Sequence, residues 1–68
     1  MTKLQALCLA HNDAIQHSKG GKYRVIGNGA EMKVDGVWYR SIIYTDGEST
    51  YARKVTDMHN FKELPNAK

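Results

Sequence analysis

The chain has 68 residues and a formal net charge of +3, from ten Lys and Arg against seven Asp and Glu. A chain this short hides only about 60% of its unfolded surface, which predicts one domain and excludes a deep substrate cavity. Its one cysteine, Cys8, excludes an intrachain disulfide and points to a reducing compartment, so a cytoplasmic protein is expected.

Residues 3–19 predict an amphipathic helix. Leu4, Leu7, Cys8, His11, Ala14, Ile15 and Ser18 recur at the i, i+3, i+4, i+7 spacing. Thr2 suits the N-cap, and Gly20-Gly21 suits the left-handed stop. No apolar stretch here or later is long enough for a leader or a membrane span, so no membrane partner is expected. From Lys22 the rhythm changes to two. Tyr23–Ile26 predicts a strand, closed by a tight turn at Gly27-Asn28-Gly29. Ala30, Met32 and Val34 alternate with Glu31, Lys33 and Asp35, the pattern of a half-buried strand. Asp35-Gly36 supplies the positive φ values of a two-residue hairpin turn.

Val37–Thr45 is rich in β-branched and aromatic residues and predicts the longest strand. Asp46-Gly47-Glu48 reads as a turn and Ser49–Arg53 as a strand. Residues 56–60 read as a turn or one helical turn, and Phe61–Leu64 as a last strand stopped by Pro65. Asn66 to Lys68 are expected to fray. The predicted fold class is α+β within a single domain, 1–68. An N-terminal helix precedes a small antiparallel SH3-like β-barrel of four or five strands over residues 22–64, with a flat sheet under the helix as the alternative.

Three stretches resemble a family of short bacterial and phage domains of unknown function. Tyr23-Arg24-Val25-Ile26-Gly27 is similar to its Tyr-x-Val-x-Gly strand. Ile42-Ile43-Tyr44 is similar to its Val-Val-Tyr strand. Tyr51-Ala52-Arg53, followed by Met58 and Phe61, resembles its aromatic-Val-Arg-Pro segment, with Lys54 standing where that pattern has proline. The resemblance covers residues 21–64. It implies an SH3-like barrel and makes an accessory role in a phage or mobile element the expectation; it points to no activity, because none is settled for the family.

The expectation on chemistry comes from the residues alone. Cys8 and His11 have the spacing of two metal ligands, but no second close pair completes a tetrahedral set, so both are expected as core residues and no metal is expected. A nucleophilic Cys8 would need a cleft and a base, and a helix core offers neither. Gly27-Asn28-Gly29 lacks the following Gly-Lys-Ser/Thr of a phosphate loop. No catalytic residue and no cofactor are therefore expected. Trp, Tyr and Arg dominate interface energetics. The expected function is a non-enzymatic module that binds and modulates or inhibits a host protein through Trp38, Arg40, Tyr44, Tyr51 and Arg53. The alternative is nucleic-acid binding through Lys22, Arg24, Arg40, Arg53 and Lys54, interleaved with aromatic rings. Strand alternation places Trp38, Arg40, Ile42 and Tyr44 on one face; a one-residue error would expose Val37, Tyr39 and Ile43 instead. The spare apolar positions of the helix leave monomer and homodimer open.

Overall fold

A computed structural model describes residues 1–65. The expected frayed tail, 66–68, lies outside the described residues. The chain opens with a five-residue helix, α1 (Lys3–Leu7). Strands β1 (Ala14–His17), β2 (Lys22–Val34), β3 (Val37–Thr45), β4 (Thr50–Lys54) and β5 (Phe61–Glu63) follow, with a 3-10 turn at Val55–Asp57. All five strands form one antiparallel sheet in the order β4-β3-β2-β1-β5.

The helix begins where expected. Thr2 Oγ1 accepts from the Gln5 N–H at 3.1 Å while Gln5 Oε1 accepts from the Thr2 N–H at 2.8 Å, a complete capping box. It does not run to residue 19. The expected 3–19 helix stops at Leu7, and residues 14–17 join the sheet instead. Three local features end it. The Asn28 side-chain amide donates to the carbonyls of Ala6, Leu7 and Leu9. Asn12 takes φ 76°, a left-handed turn that asparagine tolerates. Asp13 Oδ2 accepts from the Ala10 N–H at 2.8 Å. The larger reason is tertiary. β1 pairs with β2 on one side and β5 on the other, so a helix at these residues would leave β5 without a neighbour. A lone helix of that length is marginal in water, and the sheet offers Ile15 complete burial.

This shift overturns the expected burial of Cys8 and His11, both of which are exposed. The residues this segment gives to the core are Ala6, Leu9 and Ile15. Gly20-Gly21 ends no helix. It turns β1 into β2, with Gly20 at φ 100° and its N–H bonded to the His17 carbonyl at 2.8 Å.

The expected break at Gly27-Asn28-Gly29 is likewise absent, since all three lie inside the 13 residues of β2. They mark two register shifts against β3, one between Val25 and Gly27 and one between Asn28 and Ala30. Each shift is an extra residue that bends the strand. The first half of β2 pairs with both β1 and β3, while the second half pairs with β3 alone. The β2–β3 hairpin therefore extends past the rest of the sheet, and the molecule measures 40 × 26 × 22 Å. Its turn is the one expected, with Asp35 at φ 51° and Gly36 at φ 81°. The half-buried alternation holds at Met32 and Val34, but Ala30 is exposed beside the second bulge.

Val25, Ile42, Tyr44 and Phe61 form the sheet side of the core. Val55 and Met58, around the 3-10 turn, pack on it together with α1. The Met1 amine donates to the carbonyls of Met58 and Phe61, tying the start of the chain to this same region. The sheet curls but does not close, because β4 and β5 are both edges with no ladder between them. Side chains bridge that gap. The Arg53 guanidinium on β4 lies 5.3 Å from the ring centre of Phe61 on β5, and Tyr44 lies 5.5 Å from the same ring. Among the described residues no helix is long and apolar enough to cross a membrane.

Candidate binding groove beside the β2–β3 hairpin

Strand alternation in β3 places Trp38, Arg40, Ile42 and Tyr44 on one face. Ile42 and Tyr44 fall over the core and are buried. Trp38 and Arg40 lie farther out along the hairpin, and Trp38 is 59% exposed. Across from this outer part of β3 lie α1 and the 3-10 turn. The space between them is a groove of about 310 Å³. Lys3 and Leu7 of α1, Trp38, Tyr39 and Arg40 of β3, and Val55 and Thr56 of the 3-10 turn line it.

The groove is built from the inside by Asn28. Its amide nitrogen is shared among three carbonyls at the end of α1, at 2.7 to 3.2 Å. Its Oδ1 accepts from Arg40 Nε at 3.3 Å and from Nη2 at 3.2 Å. One side chain thus stops the helix and fixes the guanidinium. Gly29 lies beside the Arg40 guanidinium at φ 99°, a backbone conformation that L side chains resist. Lys33 and Lys54 flank the aromatic wall. Lys33 Nζ lies 5.5 Å from the Trp38 ring centre and Lys54 Nζ lies 4.5 Å from that of Tyr39.

The five residues expected at a partner surface divide into two places. Trp38 and Arg40 stand in the groove. Tyr44, Tyr51 and Arg53 belong to an aromatic cluster along the gap between β4 and β5. Tyr44 is 4% exposed, so its ring is a core element and not a contact surface. Its ring stacks on Tyr51 at 5.5 Å and meets Tyr23 edge-on at 5.1 Å. Arg53 is half-buried and donates from Nε to the Tyr44 hydroxyl at 3.3 Å. Tyr51 keeps an exposed edge, and its hydroxyl donates to Asp46 Oδ2 at 2.8 Å. Asp46 also accepts from the N–H groups of Ser49 and Glu48. These bonds, the Ser49 bond foremost, hold its carboxyl below its usual 3.8, while the same carboxylate pushes the Tyr51 hydroxyl above its usual 10.0.

The residues expected at a nucleic-acid surface do not form one track either. Lys22 and Arg24 border a separate cleft that also contains Asp46. Arg24 pairs with Thr45, five residues along β3 from Arg40, a separation of about 17 Å. Arg53 is folded over Phe61, and Lys54 over Tyr39. Arg40 and Arg53 instead bond to Asn28 and to Tyr44 within the protein.

His17 and His59 line one cleft of about 430 Å³, and His11 is not part of it. His17 Nδ1 accepts from the Lys19 N–H at 3.1 Å, and its ring stands edge-on to Phe61 at 4.9 Å. Among the described residues no three His, Cys, Asp or Glu side chains are grouped to hold a metal ion. Asn28, Lys3, Leu7, Val55 and Thr56 were not legible as site residues. The signal for Asn28 was present, because the period-two pattern continues on both sides of Gly27-Asn28-Gly29 and so favours bulges within one strand over a turn. Comparison with protein-family models, with curated proteins and with solved structures finds no match to this chain.

Proposed function

We propose that this chain is a non-enzymatic binding module that docks a protein partner in the groove beside the β2–β3 hairpin. One observation carries the reading. An exposed tryptophan stands next to an arginine that is already held in place by Asn28. The indole adjoins Leu7 and Val55 in one apolar-floored groove, the kind of contiguous patch that marks an interaction site, and a pre-held arginine loses little freedom on binding. Trp and Arg are also the residue types that most often dominate protein interfaces.

The finer fold assignment is an SH3-like barrel, open along one side. In its support, β5 returns beside β1 after a 3-10 turn, and a long bent β2 serves both halves of the sheet. Of the residues that carry the family resemblance, Tyr23, Val25, Ile42, Tyr44, Met58 and Phe61 gather in or against one core, while Tyr51 keeps an exposed edge. A phage or mobile-element role directed at a host protein extends the proposal. Nucleic acid is the competing partner, and the dispersal of Lys22, Arg24, Arg40, Arg53 and Lys54 speaks against it.

A pull-down from bacterial lysate, with nuclease and with a Trp38→Ala control, tests this reading. The expected result is one stoichiometric protein that survives nuclease and is lost with Trp38→Ala. Retention of nucleic acid that weakens steeply with salt, or a partner indifferent to Trp38, would overturn it.

A further inference from the structure

The chemistry of the groove walls goes beyond a generic docking surface. Lys3 and Arg40 line it, Leu7, Trp38 and Val55 give it an apolar floor, and among the described residues none that lines it is acidic. Lys33 over Trp38 and Lys54 over Tyr39 add two cations at its margins. Glu31 stands across from Arg40 in the β2–β3 register and Asp57 closes the 3-10 turn, but neither lines the groove. The Arg40 guanidinium is bonded to a neutral amide oxygen and not to a carboxylate, so its charge is not cancelled there. Asn28 engages Nε and Nη2 and leaves Nη1 outside that pair of bonds. A guanidinium edge of this kind matches a carboxylate.

We propose that the groove receives an acidic segment of a protein partner, with one apolar side chain of that segment seated against Trp38 and Leu7 and its carboxylates facing Lys3 and Arg40. This rests on the reading of the groove as a protein-docking site. A volume of about 310 Å³ suits one large side chain and a short stretch of backbone. Opposite charge across the contact would speed association and fix orientation more than it would add affinity. Binding is therefore expected to be salt-dependent but to persist at physiological salt through the apolar anchor.

Trp38 is the chain's one tryptophan, so its emission reports directly on this groove. Displayed random short peptides would be selected on the immobilised protein, and the selected peptides titrated while Trp38 emission is followed. The proposal expects the selected peptides to carry Asp or Glu beside a Leu, Phe or Trp and to shift the emission. Lys3→Glu and Arg40→Gln should each weaken them about threefold to tenfold. Lys3 is exposed, so Lys3→Glu keeps the test valid even if Arg40→Gln loosens Asn28. Selection of neutral or basic peptides, or binding unchanged in both charge variants, would overturn the acidic occupant while leaving the docking groove standing. If no peptide shifts Trp38 emission but a generic single-stranded oligonucleotide does, the acidic occupant and the docking reading fall together.

Discussion

Asn28 joins the helix end to Arg40, and its loss should be felt in both directions. Asn28→Ala leaves the carbonyls of Ala6, Leu7 and Leu9 without their shared donor and frees the guanidinium. The expected loss is about 1–3 kcal/mol, read by denaturant unfolding. Cys8→Ala should leave the unfolding midpoint unchanged, because Cys8 is exposed. A burial argument from helical spacing would have given it a cost. Asp46 makes a pH-dependent contribution with a definite sign. Its carboxyl is lowered in the folded chain, so its stabilisation is complete above the ordinary value of 3.8 and is lost as pH falls through the lower folded value. The difference in midpoint between the wild type and Asp46→Asn should be constant near neutrality and should shrink in acid below pH 3.8. A difference that survives acid unchanged would show that the hydrogen bonds, and not the charge, hold the Asp46 turn.

At the level of elements, the rhythm of two was legible almost throughout. The Asp35-Gly36 hairpin, the bounds of β3, the turn at residues 46–48 and the brief helical turn before β5 follow from φ-tolerant residues and β-branched runs. These are local signals, and they agree with the sheet that surrounds them. The N-terminal third was misread because Leu4, Leu7 and Ile15 fit one helical stripe by chance of spacing. Nothing local in Ala14-Ile15-Gln16-His17 announces that two strands remote in sequence need it as a neighbour. Two substitutions separate the stripe from the strand. Ile15→Ala should cost about 2–5 kcal/mol, since Ile15 is fully buried between β2 and β5. Leu4→Ala should change little, since Leu4 is 71% exposed. Equal effects in thermal unfolding would restore the long helix. The candidate site was half legible for the same reason. Trp38 and Arg40 follow from alternation within β3, whereas Lys3, Leu7, Val55 and Thr56 reach the groove only through the tertiary placement of α1 and the 3-10 turn.

Across the whole molecule, the unpaired flanks of β4 and β5 face one another through a layer of rings, with Arg53 and Phe61 meeting where backbone bonds would otherwise run. Such a seal is cooperative in packing but has no ladder behind it, so this side should unzip first on heating. Phe61→Ala would release two strand rims at once. Each rim can then be satisfied by the opposite rim of another chain, which makes the earliest opened form one that trades strands between copies. Warmed Phe61→Ala should therefore pass into dimers whose proportion grows with protein concentration on size-exclusion chromatography, while the wild type at the same temperature keeps its seam shut and elutes unchanged.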